Sequence, residues 1–152
     1  MVATSKKEKL LNVKRWVQKY AETLLFTKTN QRVIQHISEK HCGRSDEQLL
    51  ERIYAEGLDS ASSFYGTQEQ TVNMLQKALM DQNVLDQIAY FLVYAQPGIR
   101  EELCLDFDHS IGHVMYKAGS ACEASTLVIV IEQASTDLST AIRLVTAYCE
   151  EM

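Results

Sequence analysis

The sequence has little of what breaks a chain or staples it. One proline and six glycines in 152 residues exclude a long flexible linker. No apolar run reaches the ~18 residues that span a bilayer. The N-terminal stretch MVATSKKEKLLNVKRW carries charge but no apolar core ahead of a small-residue cleavage site, so it reads as mature sequence and not as a signal peptide. The four cysteines, Cys42, Cys104, Cys122 and Cys149, form no CxxC pair, which excludes the usual zinc layouts. Unpaired thiols are expected, with two disulfides the alternative. A chain of this length buries roughly 70% of its unfolded surface, so one domain can fold without either staple.

Positive charge is also scarce overall, since the net is −5. Its distribution is uneven. Residues 1–44 hold ten Lys/Arg against three Asp/Glu, a net of +7, and residues 45–152 hold five against seventeen, a net of −12. Such asymmetry marks either a basic surface that meets nucleic acid or merely a solvated helix face.

The pattern that remains is helical first and strand-like later. Residues 6–27 repeat apolar side chains at three- and four-residue steps. Asn30 is expected to cap a second helix that carries Val33, Ile34 and Ile37, and Gly43 to end it in a left-handed conformation. Ser45-Asp46-Glu47-Gln48 and Thr67-Gln68-Glu69-Gln70 both have the capping-box pattern. The first predicts a helix over about 46–57, closed at Gly57. The second predicts a helical stretch to Val93 with a break near 81–83, stopped by Gln96-Pro97-Gly98. Beyond it, residues 101–107, 111–116, 126–132 and 140–148 have strand character, and in the last of these Ile142, Leu144, Thr146 and Tyr148 are expected on one side. The fold class predicted is α+β, with N-terminal helices packed on a curved antiparallel sheet.

Four histidines can carry chemistry. His109 and His113 are four apart, but Gly112 and the strand-like context spoil the shared helix face that a two-histidine metal site uses, so structural roles are the simpler expectation. His41 falls at a helix end, where the helix dipole favours the charged imidazole. Arg52, eleven residues later, can hold phosphate oxygens in pairs or simply bridge to Glu51 or Glu56. Thr146 and Tyr148, two apart in a strand, project their hydroxyls together.

The run His36-Ile-Ser-Glu-Lys-His41-Cys-Gly-Arg-Ser45-Asp46-Glu47-Gln48-Leu49-Leu50-Glu51-Arg52 resembles the opening segment of the ribonuclease-A-like toxin domains of bacterial contact-dependent growth inhibition. Ser60-Ala61-Ser62-Ser63-Phe64, Ile111-Gly112-His113-Val114, Thr126 to Ile131, and Leu144-Val145-Thr146-Ala147-Tyr148 resemble later elements of that family in the same order. The likeness runs from about residue 35 to 148, with Gln35 where glycine is usual and Cys149 where proline is. It implies a pancreatic-ribonuclease-like fold without that enzyme's disulfides. It also implies catalytic roles for His41, Arg52, Thr146 and Tyr148, with His36, Lys40 and Arg44 as substrate-binding residues. The activity implied is a metal-independent, cofactor-free endoribonuclease that leaves 2′,3′-cyclic phosphate ends. The partners implied are RNA and a cognate immunity protein, and the place of action is the cytoplasm. On this reading residues 1–30 are a basic helical extension and 31–152 the toxin domain. The competing expectation is an inactive ribonuclease-like module that binds a protein partner.

Overall fold

In the computed structural model, residues 5–94, 96–135 and 141–151 are described. The first half is helical. Helix α1 (Lys6–Leu25) starts at Ser5, whose hydroxyl accepts from the Glu8 amide at 3.2 Å, and it kinks at Tyr20. It buries Val17, Ala21, Leu24 and Leu25 in the same core as Leu103, Leu127 and Leu144 of the sheet.

Helix α2 (Lys28–Lys40) is capped by Thr27 and not by Asn30. Asn30 sits inside the helix, fully buried. Its Nδ2 donates to the Ile142 carbonyl at 3.1 Å and its Oδ1 accepts from the Leu144 amide at 3.0 Å. One side chain thus pairs two backbone groups on the free edge of a strand 112 and 114 residues away, groups that would otherwise be buried without partners. Gly43 does have a positive φ of 67°, but the helix has already ended at Lys40, with His41 as its C-cap. The glycine forms the turn that follows.

Helix α3 (Asp46–Glu56) opens with the predicted capping box at Ser45 and Gln48 and closes at a left-handed Gly57. Helix α4 (Gln68–Leu79) opens with the second box, at Thr67 and Gln70. Helix α5 (Gln82–Tyr94) follows a break at Met80–Asp81.

Six strands make two antiparallel three-stranded sheets, ordered β1-β3-β4 and β2-β5-β6. The strands are β1 (Ser60–Phe64), β2 (Arg100–Asp106), β3 (Gly112–Tyr116), β4 (Ala121–Ala124), β5 (Thr126–Gln133) and β6 (Ile142–Glu150). The central β5 is apolar on both faces, as a strand covered on two sides must be. The predicted α+β class holds, with the strand surface divided between two sheets. Residue 140, the predicted start of the last strand, lies outside the described residues.

The two sheets meet where the paired strands β1 and β3 of one approach β6 of the other. A Cβ on Gly112 would lie 2.2 Å from the Ser63 carbonyl oxygen and 2.6 Å from Cys149 Sγ, so only glycine permits the approach. All four cysteines are free thiols, with Cys149 buried and Cys104 exposed. Burial pushes the Cys149 thiol up to about 11.

Candidate active site

The loop after α2 is fixed by backbone bonds to β1. The His41 amide donates to the Ile37 carbonyl at 2.9 Å, and the His41 carbonyl accepts from the Phe64 amide at 2.8 Å. Gly43 N–H donates to the Phe64 carbonyl, and the Arg44 amide donates to Ser63 Oγ at 2.9 Å. His113 of β3 completes the anchor. Its Nδ1 lies 2.6 Å from Asp46 Oδ1 and its Nε2 2.8 Å from the Arg44 carbonyl, with the ring stacked on Tyr65. His113 therefore holds the start of α3. His109 has a different partner, its Nδ1 lying 2.8 Å from Asp108 Oδ1. No cluster able to hold a metal ion occurs among the described residues.

This anchoring sets His41 opposite the middle of α3. An Arg52 Nη lies 3.4 Å from His41 Nδ1, while its Nε donates to Glu56 Oε2 at 2.6 Å. The expected bridge from Arg52 goes to Glu56, which fixes the guanidinium, and the other arm reaches the imidazole. Arg44 turns back onto the end of α2, its guanidinium donating to the Lys40 and Glu39 carbonyls.

On the other side stands β6, with a bulge. Ile131 pairs with Leu144 and Val130 with Thr146, so Val145 is the extra residue. Ile142 and Leu144 are buried before it, and Ala147 and Cys149 after it. Strict alternation would put Thr146 and Tyr148 on the core side with Leu144. The bulge reverses the parity and turns both hydroxyls into the cleft.

His41, Arg52, Thr146 and Tyr148 all line one cleft of about 730 Å³. Sequence reasoning missed its other walls. Ser60 and Ser62 come from β1, and Tyr116, Glu150 and Glu151 from the far end. The SASSF run was noted only as a resemblance, since it lacks the apolar alternation that announces a strand.

The electrostatics differ from the sequence expectation at one point. The helix dipole does not keep His41 charged. Burial first, then the charges of Arg52, Lys40, His36 and Arg44, lower it from 6.5 to about 4, so the imidazole is neutral near pH 7. An Arg N–H can only donate, so the Nδ1 facing it acts as acceptor. Tyr148 is shifted the other way. Burial, then the carboxylates of Glu102 and Glu150, raise it to about 12, and its hydroxyl donates to Glu102 at 3.2 Å. Tyr116 is likewise raised to about 12, chiefly by its bond to Glu151. Both phenols keep their protons at neutral pH.

No curated protein matches the chain. A solved structure does: a CdiA-CT/CdiI complex from Y. kristensenii, 23% identical, with a TM-score of 0.63 over 76% of this chain and 99% of that one. At that identity the likeness is one of fold. The family model of the bacterial CdiA-CT RNAse A domain matches residues 35–149, a span that begins beside His36 and ends one residue past Tyr148. It takes in both walls of the cleft, and the chain belongs to that family of ribonuclease toxins of contact-dependent growth inhibition.

Proposed function

We propose that the protein cuts RNA without a metal ion, by attack of the substrate's own 2′-hydroxyl on the adjacent phosphorus. The observation that carries this reading is a neutral imidazole, His41, beside the Arg52 guanidinium, in a cleft that Thr146 and Tyr148 also line. A phosphodiester entering the cleft draws the guanidinium onto its nonbridging oxygens. That uncovers the Nδ1 lone pair, and the phosphate's negative charge makes the imidazole a stronger base. His41 takes the 2′-proton as the O2′–P bond forms. Arg52 then neutralises the charge that grows on the phosphorus oxygens, an effect typically worth about 10²–10³ in rate. As the P–O5′ bond breaks, the protonated Tyr148 phenol gives its proton to the departing 5′-oxygen; solvent then reprotonates Tyr148 and takes the proton from His41. Thr146 orients the phosphate by hydrogen bonding. His36, Lys40 and Arg44 add positive potential toward the RNA backbone.

The nucleophile belongs to the substrate and the positive charge to arginine, so the step needs no Lewis acid. Residues 1–30 act on this reading as a basic helical extension of the toxin domain of residues 31–152, with α1 packed into the same core. The solved relative is a complex of CdiA-CT with CdiI, and by analogy a cognate immunity protein blocks the cleft here. The place of action is the cytoplasm of the target cell.

The test is incubation of pure protein with total RNA in EDTA, followed by end analysis. Fragments with 2′,3′-cyclic phosphate ends are expected, and none from a folded His41→Ala variant. RNA left intact by the wild type favours a binding module, and undiminished cleavage by His41→Ala refutes the assignment of the base.

A further inference from the structure

A second cavity, of about 550 Å³, adjoins the catalytic cleft and shares His41 and Thr146 with it. Helix α2 makes one side of it. Arg32, His36 and Lys40 follow one another at four-residue steps and line this cavity together, since such spacing sets side chains on one helical face. All three residues are exposed. Their side chains make no ion pair or hydrogen bond among the described residues, unlike Arg52 and Arg44 nearby. The facing wall is the bulge residue Val145 with Thr146, and Thr29 adds a hydroxyl at the far end. No carboxylate of the described residues lines this groove. Those of Glu150 and Glu151 line the catalytic cleft instead.

Three unengaged basic side chains along an open groove, continuous with a phosphodiester-sized cleft, are what a polyanionic strand requires. Arg32 and Lys40 are eight residues apart, about 12 Å along the helix axis, a span longer than the distance between neighbouring phosphates of a single strand.

We propose that the α2 groove is a separate backbone subsite, in which Arg32 and Lys40 hold phosphodiesters adjoining the one that is cut. The inference rests on the ribonuclease reading of the cleft and adds the path of the substrate. The strand runs along α2, crosses between His41 and Thr146, and leaves its cut phosphate at Arg52. Arg32 contributes to long substrates only, because a dinucleotide has a single phosphate and that one lies in the catalytic cleft.

The experiment compares kcat/KM for a dinucleotide and for a decanucleotide that contains the same cleavable step. Arg32→Ala is expected to lower the decanucleotide-to-dinucleotide ratio by about tenfold, the usual worth of one hydrogen-bonded charge, and Arg32→Glu to lower it further. An unchanged ratio in both variants overturns the subsite. The 2′-deoxy decanucleotide, which cannot be cut, separates this outcome from failure of the catalytic reading. For Arg32→Ala, the slope of log affinity against log salt should become shallower by about 0.7. If wild type cuts neither substrate but the slope changes, the groove stands and the catalytic reading falls. Binding of the deoxy strand that is indifferent to Arg32→Glu overturns the groove itself.

Discussion

Replacing Arg52 by glutamine perturbs the electrostatics of the cleft while leaving a side chain of similar length. His41 is lowered from 6.5 to about 4, by burial first and by the Arg52 charge next. At face value the whole shift is about 3 kcal/mol, and nearer 1 to 2 after allowance for solvent screening of a partly exposed ring. Arg52→Gln removes the largest of the charge contributions and keeps the burial. The His41 midpoint should therefore rise but stay below 6.5, and Arg52→Lys should hold it near the wild-type value. The assay is the His41 Cε1–H chemical shift between pH 3 and 8. The same shift sets a stability window. Between about 4 and 6.5 the unfolded chain binds a proton that the folded chain does not. Stability therefore falls as pH drops through that window and levels off below it. Urea unfolding at pH 4.5 and pH 7 should show this dependence, and His41→Gln should lose this residue's part of it. A wild-type His41 that titrates at or above 6.5, or a midpoint that Arg52→Gln leaves unmoved, refutes the reasoning.

Asn30→Leu should destabilise the fold by about 2–4 kcal/mol, because the Ile142 carbonyl and the Leu144 amide lose their partner in the core; chemical denaturation measures it. Gly112→Ala should cost about 1–3 kcal/mol, and Cys149→Ala should not rescue it, because the Ser63 carbonyl oxygen would be closer to the new methyl than the thiol. Glu56→Gln should lower kcat severalfold by freeing the Arg52 guanidinium while the unfolding midpoint barely moves, since the pair is exposed; equal loss of stability and activity would make the contact merely structural. Deleting Val145 should remove the bulge but keep both faces, because Leu144 and Thr146 become neighbours still opposite Ile131 and Val130, so Thr146 and Tyr148 stay in the cleft and Cys149 stays buried. In a background with the other three cysteines changed to serine, the Cys149 thiol should then stay silent toward a labelling reagent. A folded variant whose Cys149 reacts would sink the bulge argument.

What could be read from the residues follows a physical line. Both capping boxes and the left-handed Gly57 were legible because a helix end is a local hydrogen-bonding problem, solved by side chains within three residues. Four of the six strands were legible for the same kind of reason, since each carries its own β-branched or alternating pattern. Strands β1 and β4 were not, because SASSF and ACEA owe their conformation to β3 between them and to no propensity of their own. The cap assigned to Asn30 failed for a tertiary reason. An asparagine within a turn of a helix start suits a cap, but here its amide serves a strand more than a hundred residues away. The candidate site divides likewise. Motif likeness named His41, Arg52, Thr146 and Tyr148, and all four reach one cleft. Their charge states were not legible, because the lowered imidazole and the raised phenol depend on burial and on neighbours from other elements.

The chain's net charge of −5 looks ill-suited to a polyanionic substrate, and the cleft shows why the sum misleads. At ordinary ionic strength, exposed charges are screened beyond about 8 Å, so a phosphate in the groove meets its neighbours and not the total. His41 reports on those neighbours. Besides burial, the largest contributions come from Arg52, Lys40, His36 and Arg44, and each of these lowers it. A net negative field at that point would have raised the imidazole. Glu56 stands at this end, paired with Arg52, and other carboxylates gather at the β6 end of the cleft and on β2, where Glu151 and Glu102 accept from the phenols of Tyr116 and Tyr148. The cleft is thus positive where a backbone phosphate would be held and negative where the hydroxyl donors stand. The first 44 residues, which hold two thirds of the cations, supply α2 and the loop at its end, and through them most of that positive pole.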